Sequence, residues 1–348
     1  MLIFANPHHA QHEGRQEMFR GRLVPCHETP SRLEHVMAEL ARRPVGPVQD
    51  PPPVERAVLE RVHAPRYLDF LRTAWEEWVA LDPANAALDA LPSTWPVRGF
   101  RHDIEPSNFA ARMGLYSYDA GTPLTAGTWV AAEAGAACAL AAAQAVSGSR
   151  GTRSATALTR PPGHHAGFDF FGGYCFLNNA ALAAQALRDA GAGRVAVLDV
   201  DYHHGNGTQS LFYGRPDVLT VSIHGDPRTE YPFFLGHADE RGKGEGLGFN
   251  LNLPLPAGTG FGEWRAALQF ALQQVREFAP EALVVALGVD TYEGDPISRF
   301  RLASDDYFQL GRDLASANLP TVFTLEGGYA VAAMGVNVVN VLEGFEGR

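Results

Sequence analysis

Cysteine is scarce in this chain. Cys26, Cys138 and Cys175 are all that its 348 residues contain. The number is odd, the spacing is wide and no CxxC pair occurs, which excludes a disulfide framework or a structural zinc knuckle as the organising device. The opening, MLIFANPHHAQHEGR, lacks the basic start and apolar run of a secretory leader. The most apolar long stretch, Trp129 to Val146, is Ala-rich, contains Glu133 and is short for a membrane span, so it is expected to be a buried helix. Basic charge is also in deficit: 28 Lys and Arg stand against 39 Asp and Glu, for a formal charge of −11 and a pI of about 5.6. A nucleic-acid partner is disfavoured by that balance, whereas small cations are attracted. The expectation is a cytoplasmic protein without nucleic-acid or membrane partners, and no internal repeat interrupts it.

What is present is enough apolar material for a large core, 46% of residues, arranged with changing period. Strands are expected at 2–5, 154–158, 194–200, 218–223, 282–288 and 321–325. Helices are expected at 29–43, 65–82, 127–147, 176–190, 261–279, 305–317 and about 331–343. The Pro-rich segment 44–53 reads as a rigid surface loop. Residues 82–126 look irregular yet carry aromatics, the mark of an ordered, functional loop. Alternating strands and helices predict an α/β chain with a parallel sheet covered on both faces.

Four strands run straight into polar motifs. SATAL leads to RPPGHHAGFDFFGGYCF, RVAVL to DVDYHHGNG, ALVVALG to VDTYEGDP, and TVFTL to EGGY. In open parallel sheets the ligand site lies beyond the C-terminal strand ends, so the four motifs should converge. Side chains alternate faces along a strand, which puts Asp199, Asp201 and His203 on one side. With Asp290 from another strand end, Asp201 and His203 form a three-donor set that suits Zn²⁺ or Fe²⁺ with an open position. A hydrogen-bonded cluster capping loops would have the same spacing. His164 and His165 follow two prolines and Gly163 in a stiff turn, where paired imidazoles suit proton transfer. Tyr329 follows two glycines and is either a hydrogen-bond donor to a developing oxyanion or a packed aromatic.

These motifs, with GGYCFLNNAALAA, VSIHGDP, LGVDTYEGDP and LEGGY, resemble the histone deacetylase and acetylpolyamine amidohydrolase superfamily, in order across most of the chain. NPHH, GRLVPCHETPSR, VHAPRYLDFLRTAWEEW, HDIEP and MGVNVVNVLEG bring it closer to the bacterial acetylpolyamine amidohydrolases. The resemblance implies the arginase–deacetylase fold, a single domain over 1–348 around an eight-stranded parallel sheet flanked by helices. It implies Asp201, His203 and Asp290 as zinc ligands, and His164 and His165 as the tandem histidines. Asp199 would stand behind the first histidine and Asn206, where some relatives carry Asp, behind the second. That Asn makes His165 less basic than in the Asp relatives. Tyr329 would polarise the carbonyl. Gly173, Tyr174 and Tyr231 would form the tunnel wall, with Tyr231 replacing a frequent Phe. Structural K⁺ is implied near Asp199, Asp201, His203, Ser222 and Ile223.

The implied reaction is zinc-dependent hydrolysis of an acetylated polyamine or short acetylated diamine to acetate and free amine. The 82–126 segment matches an insertion that narrows the tunnel and builds a homodimer. Glu105 matches an acid that meets the substrate's distant ammonium, and a second acid, Asp103 or Asp119, would share that role. The rival reading is a lysine deacetylase acting on proteins, for which the tunnel mouth should be open. An arginase-type ureohydrolase would need ligands for two metals, and a silent acyl-amine sensor would lack part of the set.

Overall fold

The computed structural model describes residues 1–101, 103–147 and 151–348; His102 of the HDIEP motif lies outside them. Its strands are β1 (Leu2–Ala5), β2 (Gln16–Phe19), β3 (Arg22–Pro25), β4 (Val48–Gln49), β5 (Ser154–Leu158), β6 (Val195–Asp199), β7 (Val218–Gly225), β8 (Asn250–Leu255), β9 (Ala282–Leu287) and β10 (Thr321–Leu325). The helices are α1 (Ser31–Arg42), α2 (Arg56–Leu59), α3 (Pro65–Leu81), α4 (Phe109–Leu115), α5 (Thr128–Val146), α6 (Asn179–Asp189), α7 (Asn206–Phe212), α8 (Phe261–Phe278), α9 (Asp306–Ala315) and α10 (Val331–Glu346). Eight strands form one sheet in the order β4-β1-β5-β10-β9-β6-β7-β8, and each neighbouring pair is parallel.

Period-two alternation sends each strand's side chains into two cores. From β9, Ala282, Val284 and Ala286 enter one core with α3, α5 and α6. Leu283, Val285 and Leu287 enter the other with α1, α8, α9 and α10. Burial on both faces explains why these strands read as continuous apolar runs. The Ala-rich helix α5 lies against α6 and β5, as a buried core helix should. The only such helix found among the described residues, it is long and apolar enough to cross a membrane, but 61% of its apolar window is buried inside the protein.

Several elements differ from expectation. The Pro-rich segment contributes β4, two residues that add an edge strand beside β1. Helix α6 starts at Asn179 rather than 176, because the Asn178 side chain accepts the Ala181 N–H at 2.8 Å and caps it. Strand β8, NLNLPL, was not expected; Pro254 suits an edge strand, and Asn250 and Asn252 turn inward to polar partners such as Gln209. The β2–β3 hairpin also escaped notice. Its two-residue tip is Arg20–Gly21, both at positive φ (+49° and +81°), a conformation that Asn-Gly would have advertised. The described residues of the 82–126 segment are ordered. The segment carries α4, an Ala90–Leu124 bridge, and a 3.0 Å bond from the Trp95 indole N–H to Ser117.

Phe323 tests the packing. It is fully buried in β10 and meets Phe345 of α10 edge-on, ring centroids 5.0 Å apart. Phe323→Ala removes the ring and leaves a cavity, so the expected loss is about 3–5 kcal/mol, read as a lower midpoint in denaturant unfolding. A loss below about 1 kcal/mol would show that the two layers do not depend on this contact.

Candidate active site

The polar motifs do converge beyond the C-terminal ends of β5, β6, β9 and β10. Asp201, His203 and Asp290 are buried, and their donor atoms lie within 4.8 Å of one another. His203 Nδ1 is 3.0 Å from Asp290 Oδ2 and 3.4 Å from Asp201 Oδ1. Backbone N–H groups fix both carboxylates. Asp201 accepts from Gly327 at 2.7 Å and from His203 at 2.8 Å; Asp290 accepts from Tyr202 at 2.8 Å. A Cβ on Gly327 would stand 2.5 Å from Asp201 Oδ2 and 2.7 Å from Asp290 Oδ2, so only glycine lets this backbone come so close.

Two buried carboxylates this near one another need positive charge. Burial and the Asp201 charge push Asp290 upward. Burial opposes charge on His203, but Asp201 and Asp290 outweigh it and raise its pKa to about 10. A bound cation would supply that positive charge. The donor set, two carboxylates and one imidazole, fits a divalent cation.

The two histidines of the PGHH turn are adjacent, ring centroids 4.0 Å apart, and differ in charge. His164 Nδ1 lies 2.8 Å from Asp199 Oδ2, and its Nε2 is 3.8 Å from Asp201 Oδ1. Burial disfavours its charge, yet Asp199 and Asp201 push it up to about 10. His165 Nδ1 meets the neutral Asn206 Oδ1 at 2.6 Å. Burial, then the positive charge of His164 and His203, hold His165 well below the usual imidazole range. With Nδ1–H donated to Asn206, its Nε2 lone pair is free to take a proton.

A cavity of about 380 Å³ opens over this floor, and His165, Gly173, Tyr174, His203, Tyr231 and Tyr329 all line it. Gly173 and Tyr174 both have positive φ, +54° and +65°. A Cβ at Gly173 would sit 2.2 Å from His165 Cδ2. Tyr174 approaches Tyr329, ring centroids 5.6 Å apart, and Tyr231 stands edge-on to His165 at 5.1 Å. Asp199 and Ser222 border a separate small polar chamber of about 10 Å³, with His204, Thr208 and Gln209. Asp201, His203 and Ile223 do not line that chamber.

Glu105 does not line the cavity of the single chain; Arg112 donates to it at 3.0 Å and also pairs with Glu77. Asp119 lies at the cavity wall. It accepts from the Tyr231 hydroxyl and the Gly173 N–H, each at 2.6 Å.

Sequence reasoning also missed the supports. Arg32 of α1 is buried with its guanidinium 4.8 Å from the Tyr329 ring centroid, and donates to the carbonyls of Gly328 and Glu326. Asp295 accepts from the N–H of Tyr329 at 2.7 Å. Glu326 accepts from Gly163 and His164 N–H, at 2.6 and 3.0 Å, and burial pushes its pKa up to about 7. Glu17 accepts the Tyr174 hydroxyl at 2.8 Å. Asp295 and Glu326 sit inside quoted motifs, VDTYEGDP and LEGGY, where their side-chain types gave a signal. Arg32 gave none, being an ordinary helix residue almost 300 positions from its partners.

The chain is similar to known proteins over nearly its whole length. The family model described as "Histone deacetylase domain" matches residues 26–345. Acetylpolyamine amidohydrolase 1 and acetylpolyamine amidohydrolase 2 of Pseudomonas aeruginosa are 52% and 50% identical to this chain, over 100% of it and 99% of their own lengths. The crystal structure of an acetylpolyamine aminohydrolase from Burkholderia pseudomallei superposes with a TM-score of 0.92 at 41% identity, covering 99% of this chain and 98% of that one.

The neutral state of His165 sets a pH expectation. A base whose pKa is depressed stays deprotonated below pH 6.5, so the acid limb of kcat/KM should lie below that value. Asn206→Asp puts a carboxylate on Nδ1, stabilises the imidazolium and should move the limb upward. A pH–rate profile of both proteins checks it; coincident limbs would show that His165 does not control the rate.

Proposed function

The chain belongs to the histone deacetylase domain family, and on that premise we propose that it is a metal-dependent amidohydrolase that deacetylates small cationic acetylated amines, either acetylated polyamines or short acetylated diamines. The observation that carries this reading is the buried Asp201–His203–Asp290 set at the floor of a tyrosine-walled cavity with Asp119 on its wall. Asp201, His203 and Asp290 would hold Zn²⁺, with Fe²⁺ the alternative, and the ion would supply Lewis acidity to the acetyl carbonyl and to water.

The chain's own groups supply the rest. His165 accepts the proton of the attacking water at Nε2. The histidine pair returns a proton to the leaving nitrogen, and acetate and a free amine result. Burial holds the Tyr329 hydroxyl well above the usual phenol range, against the pull of Arg32. It stays protonated and donates to the oxygen that gains charge. Tyr174 and Tyr231 flank the aliphatic stem. Asp119, rather than Glu105 of the same chain, faces the far ammonium. K⁺ belongs near Asp199, Asp201, His203, Ser222 and Ile223, where it would offset buried negative charge. Exposed Leu88, Val97, Phe100 and Ile104 give the 82–126 segment apolar surface, which supports a homodimer through that loop.

The test is kcat/KM on N-acetylputrescine and on an acetyl-lysine peptide, side by side. The diamine should be turned over well and the peptide poorly. Tyr329→Phe should lose about 10²–10³ in kcat. A peptide that matches or exceeds the diamine would make protein lysine deacetylation the better reading.

A further inference from the structure

Besides histidines, three charged side chains line the cavity: Arg20, Asp119 and Glu230. They differ in how far the protein has already answered their charge. Glu230 is buried and lies between two guanidiniums, 3.9 Å from Arg20 Nη2 and 3.4 Å from Arg299 Nε. Asp119 accepts only neutral donors: the Tyr231 hydroxyl, and the N–H groups of Gly173 and Gly121. Among the described residues no basic side chain pairs with it. The lining therefore offers one uncompensated carboxylate. Arg20 sits on the tip of the β2–β3 hairpin, its side chain 56% exposed and beyond hydrogen-bonding distance of Glu230. The hairpin turn carries Met18, Phe19 and Arg20 into the lining together.

We propose that Arg20 is a specificity-determining residue that limits the substrate's free end to one net positive charge. The proposal rests on the amine-deacetylase reading of the site. A single distal ammonium finds Asp119. A second ammonium finds Glu230 already facing two guanidiniums and meets the Arg20 guanidinium itself. A carboxylate at the same end has the opposite fate and is drawn toward Arg20. Acetylated diamines are accordingly preferred over acetylated triamines, and an acetylated diamino acid is tolerated.

Two substrate pairs isolate the effect. N8-acetylspermidine carries one more ammonium than N-acetylputrescine. Nε-acetyl-lysine is N-acetylcadaverine with a carboxylate added. kcat/KM is measured for all four with the wild type, Arg20→Lys, Arg20→Gln and Arg20→Glu, at low and high salt. For unit charges about 6 Å apart in a partly solvated mouth, loss of the guanidinium should raise the spermidine-to-putrescine ratio about 3- to 10-fold. It should lower the lysine-to-cadaverine ratio by a similar factor. Arg20→Glu should exceed Arg20→Gln, Arg20→Lys should keep the wild-type preference, and added salt should shrink every shift. Opposite signs in the two pairs are not produced by a hairpin that has merely loosened. Unchanged ratios in Arg20→Glu at low salt, in an enzyme that turns these amines over, would overturn the role of Arg20 alone. A protein inert toward all four would remove the amine-deacetylase reading and this proposal with it.

Discussion

Two carboxylates, Asp201 and Asp290, are buried within reach of one imidazole at the end of a parallel sheet. Much of this structure can be understood as the consequence of that arrangement. Burying like charges together is unfavourable unless positive charge joins them. The backbone supplies part of the compensation through N–H groups from Tyr202, His203 and Gly327. The remainder requires protons or a cation. Because the donors come from separate strand ends, the pair forms only when the sheet is assembled with β6 and β9 in register.

The reacting groups are held by a layer of buried charge that touches them from behind. Asp199 and Asn206 give the adjacent histidines unlike charge, which one kind of partner at both positions would not do. Tyr329 is gripped from two sides, its N–H by Asp295 and its loop carbonyls by Arg32. The Arg32 charge is in turn met by Glu28 at 2.8 Å. A tyrosine on a loop after two glycines would otherwise have wide freedom; these contacts fix where its hydroxyl can act.

The sequence made the centre of the site readable because chemistry there is concentrated in short motifs at strand ends. Asp201, His203 and Asp290 followed from side-chain alternation and from the rule that sites lie beyond the C-terminal edge. The six expected strands and the large helices followed from apolar period. What stayed hidden depends on pairings that spacing does not encode. Glu105 lies in a motif-like HDIEP but pairs with Arg112, which also pairs with Glu77, whereas the less conspicuous Asp119 reaches the wall. The β2–β3 hairpin turns on Arg-Gly, and β8 hides two asparagines whose partners are distant in sequence. Both were passed over because their signals were weak by local rules, although the hairpin supplies part of the cavity mouth.

The central claim is that the Asp201–His203–Asp290 set exists to hold a divalent cation. Elemental analysis of the purified protein, compared with Asp201→Asn/Asp290→Asn, tests it most directly. The account predicts a stoichiometric divalent ion in the wild type that the double variant lacks, with chelation lowering the wild-type melting temperature because the ion binds only the folded site. A wild-type protein that stays metal-free after exposure to Zn²⁺ or Fe²⁺, or a double variant that keeps its full ion content, would contradict it.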